Sequence, residues 1–388
     1  MKIWIKLLCI FIIRNLLKIA NLFKVKNNRI VAYSYNGSQY SCNPKYIIED
    51  ILNKNGNKYQ IIFAVNNINR FSYLKKKNLV LVKFKSIKFL YYSLTCKIFI
   101  NNGIAPSYIP FRKSQFVLST WHGGGAYKKG GLDTINNLPS KILMKYSAKS
   151  INGMISSCNR FTEIFHKAFL IDYKVFLNIG MPRNDILINR RQENLYTKIY
   201  KYFHIKENNK ILLYAPTFRS SFKSLEENFR EGDYNIDFYN IKKFLQEKFG
   251  GEWIIIYRAH YYLSGKNSNE FIDATNYPDM QELLYVSDIL ITDYSSCMWD
   301  FSLMYKPCFI YATDIDQYKQ ERDFYTPMSE WPFPIATNTD ELIYNILNFN
   351  QEEYIKNVKK HHKDLGSFED GYASERICKL IETIVNKK

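Results

Sequence analysis

Short apolar runs typical of buried β-strands alternate with helix-like segments along most of this chain, and this alternation constrains its fold more than any other feature. Alternating strands and helices predict parallel α/β units, in which helices cover the faces of a sheet. A polar, charged stretch at residues 189–209 interrupts the pattern, which then restarts. The sequence therefore predicts an α/β protein built from two doubly wound, Rossmann-like domains, with a ligand-binding cleft between them.

The apolar runs and the residues that cap them predict the individual elements. Strands are predicted at residues 29–33, 59–65, 79–82, 97–100, 116–119, 153–156, 175–179, 210–215, 253–258, 288–292 and 308–311. Helices are predicted at residues 43–52, 238–249, 280–286, 297–304, 342–347, 352–363 and 373–385. The first of these helices has Asn43 as its predicted cap and Pro44 in its first turn. The predicted divisions of the chain are 1–24, 25–190 and 191–388.

The first 18 residues are apolar but carry four basic side chains, Lys2, Lys6, Arg14 and Lys18. A membrane-spanning helix needs about 20 consecutive apolar residues, and the uncharged runs here are much shorter. Arg14 also interrupts the apolar region that a signal peptide requires. The pattern favours a basic amphipathic helix that lies on a membrane through Trp4 and its leucines. The alternative is a first helix that packs on its own domain.

The charge balance limits the kinds of molecule that the chain is expected to bind. The chain has 54 Lys and Arg residues against 36 Asp and Glu residues, a formal net charge of +18. Such a balance favours a polyanion, which can be nucleic acid, an anionic membrane surface or a phosphorylated substrate. Since the chain has no recognised nucleic-acid-binding motif, we expect a phosphorylated substrate and an anionic membrane surface, and no nucleic acid.

Cysteine and carboxylate spacing bears on metal binding. The seven cysteines form no Cys-x-x-Cys pair and are not grouped with histidine at metal-ligand spacing. This pattern predicts free thiols in a reducing compartment. Asp293 and Asp300 are carboxylates that could bind a divalent ion, but we expect neither a metal nor a cofactor.

Four polar or glycine-rich segments each follow a predicted strand directly, where ligands bind in open α/β sheets. The first segment begins with Trp121 and His122 and continues with Gly123, Gly124 and Gly125. Glycine lets the backbone approach a ligand closely, and a neutral histidine is the usual general base near pH 7. We therefore predict a functional loop; the alternative is a tight turn with a structural histidine.

The second and third segments supply groups for phosphate oxygens. Pro216 and Thr217 follow one predicted strand, and Arg258 and His260 follow the next. Hydroxyl and guanidinium groups suit phosphate oxygens, and side chains two residues apart on an extended segment share a face. The alternatives are a capped turn in one segment and a structural ion pair in the other.

The fourth segment is the turn after the predicted strand 288–292. Ser295 and Ser296 lie at the start of the next predicted helix, where unpaired N–H groups attract phosphate. The alternative is that both serines only cap the helix. Asp300 lies one helical turn further on and suits a polyol hydroxyl or a lysine, and Arg322 adds a cation in a downstream loop.

These segments occur together in an order that resembles a known enzyme family. The motifs are Trp-His-Gly-x-x-x-x-Lys at 121–128, Gly-Met-Pro-Arg-Asn-Asp at 180–185, Ala-Pro-Thr-x-Arg at 215–219, Arg-x-His at 258–260, Asp-Tyr-Ser-Ser-x-x-x-Asp at 293–300 and Asp-Gly-Tyr-Ala-Ser-Glu-Arg at 370–376. Jointly they resemble the CDP-glycerol glycerophosphotransferase family of teichoic-acid synthesis. The chain departs from that family at Gly124 and Gly125, where Thr-Pro is common.

The resemblance implies a GT-B fold, a CDP-alditol donor and a lipid-linked glycan or polyol-phosphate acceptor, at the cytoplasmic face of the cell membrane. It implies an acceptor domain at 25–190 and a donor domain at 191–388. It suggests His122 as the catalytic base and His260 as a second catalytic residue. The substrate-binding residues would be Trp121, Gly123, Gly124, Gly125, Arg183, Pro216, Thr217, Arg258, Ser295, Ser296, Asp300 and Arg322.

The predicted reaction is the transfer of an alditol phosphate from its CDP donor to an acceptor hydroxyl, with release of CMP, in teichoic-acid-like or capsular polymer synthesis. One alternative is a GT-B glycosyltransferase that uses a nucleotide sugar, because fold does not fix function. The other is a non-enzymatic basic protein that binds a membrane surface or nucleic acid. The sequence leaves open whether the alcohol is glycerol, ribitol or another polyol.

Overall fold

The computed structural model describes residues 2–55, 58–189, 193–217, 236–258 and 270–387. The predicted catalytic residue His260 lies outside the described residues. The chain forms two compact units, and neither is a single stretch of sequence. The first unit comprises Met1–Gly124, Lys129–Asp185 and Ser367–Lys388, and the second comprises Gly125–Lys128 and Ile186–Gly366.

The first unit contains a seven-stranded sheet in which every pair of neighbouring strands is parallel. Its strands are β1 (Lys26–Tyr33), β2 (Gln60–Val65), β3 (Val80–Lys83), β4 (Cys96–Asn101), β5 (Phe116–Ser119), β6 (Gly153–Ser156) and β7 (Phe176–Asn178). Across the sheet their order is β3-β2-β1-β4-β5-β6-β7. The order reverses at β1, so the carboxyl ends of β1 and β4 form the topological switch point where such sheets bind ligands.

The second unit contains a six-stranded parallel sheet of the same kind. Its strands are β8 (Asn209–Tyr214), β9 (Glu252–Tyr257), β10 (Ile272–Asp273), β11 (Ile289–Thr292), β12 (Cys308–Tyr311) and β13 (Ile335–Ala336). Their order is β10-β9-β8-β11-β12-β13, so the switch point lies between β8 and β11. Strands β11 and β12 are buried along their whole length, as expected where helices cover both faces of a sheet.

Helices connect the strands in both units. The described α-helices are α1 (Lys2–Leu17), α2 (Cys42–Asn55), α3 (Ile87–Thr95), α4 (Leu138–Lys149), α5 (Asn159–Ala168), α6 (Asp185–Asn189), α7 (Glu193–Phe203), α8 (Phe238–Phe249), α9 (Met280–Val286), α10 (Cys297–Ser302), α11 (Ile315–Glu321), α12 (Thr339–Leu347), α13 (Gln351–Asp364) and α14 (Ala373–Asn386). Short 3₁₀ helices are Lys18–Leu22, Tyr35–Gly37, Ser72–Lys77, Gly131–Thr134, Tyr173–Val175, Pro182–Asn184 and Met328–Glu330.

The predicted α/β architecture is confirmed, and each predicted strand overlaps an observed one. The strands β10 and β13 were not predicted, because two residues are too short to show an apolar pattern. The predicted domain boundary at 190 lies near the passage from the first unit to the second at Asp185 and Ile186.

The C-terminal helix corrects the predicted division of the chain. The prediction grouped residues 373–385 with the second domain, but α14 belongs to the first unit and packs against α2. Its buried residues include Ile377 and Ile381. Asp185 caps its start, with carboxylate oxygens 3.1 Å from the N of Ala373 and 2.7 Å from the N of Ser374. Packing between distant segments, which local sequence does not encode, decides this placement.

Helix α1 has apolar residues on two opposite sides. With about 3.6 residues per turn, Ile3, Leu7 and Ile10 lie on one side. Ile10 is buried, and the helix packs against α4. The other side is apolar and exposed, and it consists of Trp4, Ile5, Leu8, Phe11, Ile12 and Leu16. Within the described residues, none of the helices is long and apolar enough to cross a membrane.

Arg14 belongs to the side of α1 that packs on the unit. Its guanidinium donates to the carbonyl oxygens of Ser107 and Ile109 and lies over the ring of Tyr146. The sequence predicted that Arg14 would lie near lipid headgroups with the three lysines, but the structure ties it to its own unit. Arg14 therefore anchors the helix.

Candidate functional site

The switch point of the first sheet joins the segments that follow β1 and β4. Tyr35 follows β1, and Asn102 follows β4. The N–H of Tyr35 donates to the side-chain oxygen of Asn102 over 2.8 Å. Tyr35 has a φ of 47°, so this contact holds a residue in the left-handed region. The two loops at the switch point are thus joined by a side chain that sequence reasoning did not single out.

His122, the predicted base, lies at this same switch point and is exposed. Its Nδ1 atom is 2.9 Å from the main-chain oxygen of Asn102. Because a carbonyl oxygen only accepts hydrogen bonds, Nδ1 carries the proton in the neutral ring and Nε2 carries the lone pair. This tautomer and orientation are those that a general base requires.

Trp121 supports the ring of His122. The two rings stack with centroids 4.6 Å apart and an interplanar angle of 27°. The indole also makes edge contacts with Phe165 and Phe169 of the region around α5, at 4.9 and 5.1 Å. Trp121 has a φ of 53°, an unusual conformation for a large side chain. Trp121 was predicted to bind substrate, and the structure places it as a backing for the histidine.

Asn43 corrects one prediction and explains how the loop of His122 is held. It was predicted to cap α2, but the helix begins at Cys42. The side-chain nitrogen of Asn43 instead donates to the carbonyl oxygens of Thr120 and Trp121, at 3.0 and 3.1 Å, and its oxygen accepts from the N–H of Arg183 at 3.0 Å. Asn43 is fully buried. The loop before His122 is therefore tied to the 180–185 segment.

Arg183 lies inside the first unit. Only 2% of its surface is exposed, and its Nη1 atom is 3.7 Å from the sulfur of Cys42. The neighbouring Met181 and Asn184 both donate to the carboxylate of Glu369. The 180–185 motif therefore joins the C-terminal segment to the sheet, and a contact of Arg183 with substrate stays a prediction.

The glycine loop spans the boundary between the units. Gly123 and Gly124 are buried at the end of a first-unit segment, and Gly125 begins the second unit. Gly125 has a φ of 70°, and a Cβ atom there would lie 2.4 Å from Cε2 of Tyr127 and 2.7 Å from Cε3 of Trp299. A proline, whose φ is fixed near about −65°, could not adopt this conformation. The departure from the family motif therefore has a structural consequence at Gly125.

The switch point of the second sheet is closed by a buried carboxylate. Asp293, only 1% exposed, accepts from the N–H of Thr217 with both oxygens at 2.9 Å and from its hydroxyl at 2.5 Å. The hydroxyl of Thr292 donates to the oxygen of Ala215 at 2.6 Å. Hydrogen bonds at Ala215 and at Thr217 therefore fix the segment on both sides of Pro216. The structure thus places Pro216 and Thr217 in a clamped loop at the sheet edge where ligands bind.

Arg258 directly follows β9, the neighbour of β8. Its N–H donates to the oxygen of Tyr214 at 2.9 Å, which continues the pairing of the two strands. Its Nη1 atom donates to the oxygen of Tyr277 at 2.8 Å. The guanidinium is half-buried. Its role toward a phosphate stays a prediction, as does the alternative of a structural ion pair.

The serines before α10 are half-buried and cap the helix weakly. The hydroxyl of Ser295 is 3.5 Å from the N of Cys297, at the limit of a hydrogen bond. Ser296 is the residue before the helix, and its side chain makes no capping hydrogen bond. Capping therefore does not account for both hydroxyls, and their role toward a donor stays a prediction.

Asp300 and Arg322 differ in their surroundings. Asp300 is buried and accepts from the side-chain nitrogen of Gln281 at 2.8 Å. The N–H of Gln281 in turn donates to Asp279, which caps α9. Arg322 is exposed at the end of α11, where its N–H donates to the oxygen of Tyr318. Asp300 thus belongs to a buried network, and Arg322 to the surface of the second unit.

Asn102 and Asn43 are the site residues that sequence reasoning missed. A signal for Asn102 was present, because Asn101, Asn102 and Gly103 directly follow a strand, like the four segments that were singled out. No comparable signal marks Asn43, whose partners are far away in sequence. In the part of the chain that the structure describes, no group of three or more His, Cys, Asp and Glu residues could hold a metal ion. The expectation that the chain uses neither metal nor cofactor stays a prediction.

Comparison with known proteins identifies relatives over nearly the whole chain. The family model described as CDP-Glycerol:Poly(glycerophosphate) glycerophosphotransferase matches residues 16–383. A teichoic acid poly(glycerol phosphate) polymerase of Staphylococcus epidermidis is 32% identical over 94% of this chain, which spans 52% of that relative. A teichoic acid glycerol-phosphate transferase of Staphylococcus aureus is 31% identical over 93% of this chain and 94% of its own length. The chain thus spans about half the length of one curated relative and nearly all of the other.

A solved structure is similar to the whole chain. It is the wall teichoic acid polymerase TagF in a variant soaked with CDPG, with a TM-score of 0.81 and 28% sequence identity. The match covers 100% of this chain and 98% of that one. The predicted two-domain, Rossmann-like fold of GT-B type is therefore confirmed, as is the resemblance on which it was based.

Proposed function

The chain belongs to the CDP-glycerol:poly(glycerophosphate) glycerophosphotransferase family, and on that basis we propose that it transfers an alditol phosphate from a CDP-alditol to an acceptor hydroxyl. The acceptor would be a lipid-linked glycan or a polyol phosphate, in teichoic-acid-like or capsular polymer synthesis. Glycerol phosphate is the first candidate for the transferred group, and ribitol phosphate is the second.

The observation that supports this reaction best is the orientation of His122 at the switch point. With Nδ1 bound to the oxygen of Asn102, Nε2 can take the proton of an attacking hydroxyl. The imidazolium that forms keeps its Nδ1–H donated to that carbonyl dipole, which favours the charged ring. The acceptor oxygen forms a bond to the phosphorus that carries the alditol, the bond from that phosphorus to the CMP oxygen breaks, and CMP leaves as an anion.

The second unit would bind the donor. Phosphoryl transfer depends mainly on positioning and on stabilisation of charge on the phosphate oxygens. The clamped loop at Thr217 and the guanidinium of Arg258 both lie at the carboxyl edge of the sheet, and Ser295 and Ser296 follow the next strand at that edge. We assign these groups to the diphosphate, together with the predicted His260 and Arg322. Asp300 would bind a hydroxyl of the polyol, either directly or through Gln281, its hydrogen-bond partner.

An incubation with a panel of donors tests the reaction. The purified chain is supplied with CDP-glycerol, CDP-ribitol or a nucleotide sugar, together with a glycerol-phosphate oligomer or a lipid-linked disaccharide. We expect mass spectrometry to show acceptors extended by alditol phosphate units and an equal amount of released CMP. Transfer from the nucleotide sugar alone would instead identify a glycosyltransferase with the same fold.

We also propose that α1 holds the protein peripherally on an anionic membrane surface, at the cytoplasmic face. Its outer side exposes 53% of Trp4, 59% of Leu8, 53% of Phe11 and 67% of Leu16. A contiguous exposed apolar face marks an interaction surface, and an interfacial helix buries such a face among lipid headgroups. The formal charge of +18 adds attraction to anionic lipids.

Co-sedimentation with anionic vesicles tests this surface. The double variant Leu8→Lys with Phe11→Lys should bind markedly less than wild type, and Tyr344→Lys should bind equally well, since Tyr344 is 67% exposed on the second unit. Raising the salt from about 0.1 M to about 1 M shortens the Debye length from about 10 Å to about 3 Å, so binding should weaken but not vanish. Equal binding by the double variant and wild type would contradict the proposal.

A further inference from the structure

In the part of the chain that the structure describes, three buried side chains at the carboxyl edge of the first sheet have polar atoms without a hydrogen-bond partner. These atoms are Nδ2 of Asn101, Nδ2 of Asn102 and Oγ of Ser119. The three residues are 0%, 3% and 0% exposed. An unpaired buried polar group destabilises a fold, so a group of such atoms needs an explanation, and a bound ligand supplies one.

The orientation of both amides follows from their backbone partners. The Oδ1 atom of Asn101 accepts from the N–H of Gly103 at 2.9 Å, and that of Asn102 accepts from the N–H of Tyr35 at 2.8 Å. A backbone N–H only donates, so the oxygen of each amide must face it. The NH₂ groups therefore take no part in these backbone contacts, and each carries N–H donors at the carboxyl edge of the sheet.

Asn102 also contacts the proposed base, through its main chain. Asn101 and Ser119 are partners in the register of β4 and β5, so their side chains share a face of the sheet. Asn102 is the next residue, and its main-chain oxygen holds Nδ1 of His122 at 2.9 Å. One residue thus fixes the tautomer of the base through its carbonyl and fixes Tyr35 through its side-chain oxygen. Its side-chain nitrogen is buried and has no hydrogen-bond partner among the described residues.

The chemistry of the cluster favours an uncharged polyol. Amide NH₂ groups and a hydroxyl donate to lone pairs of oxygen, whereas phosphate recognition usually relies on charged Arg or Lys donors. The rings of Tyr35 and His122 lie 5.7 Å apart at the same place, and Trp121 stacks on the histidine. Neutral donors next to aromatic rings suit a chain of hydroxyl-bearing carbons.

We propose that Asn102, supported by Asn101, binds an oxygen of the acceptor polyol next to the hydroxyl that reacts, and so positions that hydroxyl at Nε2 of His122. This inference rests on the proposed transfer reaction and names the acceptor subsite within it. The amide donates to a neighbouring hydroxyl oxygen and does not touch the transferred phosphoryl group. Asn102 is therefore an acceptor-binding residue that sets specificity for a vicinal diol.

The variant Asn102→Asp tests the subsite, because it keeps an oxygen for Tyr35 and the main-chain carbonyl for His122 but removes the NH₂ donors. We expect KM for the acceptor to rise about tenfold or more, as for one lost hydrogen bond in a buried site, with KM for the donor nearly unchanged. The matched control is Asn152→Asp, whose oxygen accepts from the N–H of Val117 at 2.9 Å at the other edge of the sheet. That control should leave both KM values unchanged.

A substrate comparison separates this effect from the added charge. Wild type should prefer an acceptor that ends in glycerol over one that ends in propane-1,3-diol, which lacks the neighbouring hydroxyl, and Asn102→Asp should lose that preference. Asn101→Asp is the second variant if Asn102→Asp does not fold, and it should lower the preference in part. Unchanged acceptor KM and unchanged preference in an active enzyme would overturn the inference but not the proposed function.

A binding measurement keeps the inference testable without turnover. If wild type transferred no alditol phosphate from any CDP-alditol, the proposed function would fail. Calorimetry with a glycerol-phosphate oligomer would then still test the subsite. Tighter binding by wild type than by Asn102→Asp would support the subsite, and equal binding would overturn it.

Discussion

The two switch points have the same architecture but are held in different ways. In the second unit, a buried carboxylate of Asp293 accepts three hydrogen bonds from Thr217 and fixes the loop after β8. In the first unit, neutral groups of Asn102 hold Tyr35 and His122, and its NH₂ group has no hydrogen-bond partner among the described residues. The same strand order thus supports a closed clamp in one unit and a site with unused donors in the other.

This difference indicates separate roles for the two switch points: one holds a loop in place, and the other acts on the substrate. The clamp is rigid, because any displacement of Thr217 breaks hydrogen bonds from both its N–H and its hydroxyl. In the first unit, the Asn102 donors that make no hydrogen bond to the described residues can instead bind a substrate. We infer that the second switch point fixes Thr217 at the edge of its sheet, whereas the first acts on the substrate directly.

The largest effect is expected at the base. His122→Ala should lower kcat by about 10²–10⁴-fold, the usual contribution of general acid–base catalysis, while donor affinity changes little. The matched control is His166→Ala, because His166 of the same unit also has its Nδ1 atom on a main-chain carbonyl, 2.8 Å from the oxygen of Ile171. Steady-state rates measure both. If His122→Ala kept more than half of the wild-type rate, the first switch point would not be the reacting one.

The clamp should give the next largest effect. Asp293→Asn should weaken donor binding about tenfold and cost about 1–3 kcal/mol of stability, since an amide NH₂ would face donors that need an acceptor. Asp288→Asn is the control, because Asp288 accepts from the N–H of Ile211 at 2.8 Å at the opposite edge of the sheet. Chemical denaturation measures the loss of stability, and calorimetry with a CDP-alditol measures the loss of donor affinity. Equal loss of donor affinity in both variants would mean that the clamp has no special role.

Acid should destabilise the protein through two histidines of the second unit. Burial lowers the pKa of His361 to about 4 and that of His362 to about 3. The unfolded chain takes up protons near pH 6.5, but these folded histidines do not. Stability is therefore complete above about pH 6.5 and falls as the pH drops toward the folded pKa values, by up to about 1.4 kcal/mol per pH unit for each group.

The pH dependence can be checked with one neutral replacement. His361→Gln keeps a polar partner for the hydroxyl of Tyr127, which lies 2.8 Å from Nε2 of the histidine, but it does not titrate. We expect its Tm to fall less than that of wild type between pH 6.5 and pH 4.5. An identical fall in Tm would show that groups other than His361 control stability in acid. The second unit would then not be more sensitive to acid than the first.

The smallest effect is expected from the serines before α10. Ser295→Ala combined with Ser296→Ala should reduce donor affinity several-fold, as expected for one or two hydrogen bonds to a phosphate. The fold should survive, because Ser296 makes no capping bond and that of Ser295 is long. Calorimetry with a CDP-alditol measures the loss. Unchanged affinity and an unchanged rate would show that both serines have only a structural role.

The sequence predicted the parts of these sites that depend on local pattern. Apolar runs located the strands, and the polar groups directly after them gave His122, Thr217 and Arg258. The contacts that orient them were not predictable, because they join residues far apart in sequence. Asn43 was predicted as a helix cap but contacts Trp121 and the 180–185 segment. The buried position of Arg183 also depends on packing, which single-sequence patterns do not report.

The interleaved composition of the two units has a consequence for synthesis on the ribosome. The first unit needs residues 367–388, whose helix packs on α2 and is capped by Asp185, whereas the second unit comes almost entirely from residues before them. Domains usually fold in the order in which they are translated. Here the N-terminal sheet emerges first but lacks its last helix until the second unit has been made. The unit whose strands are translated earlier is therefore the one that completes its fold later.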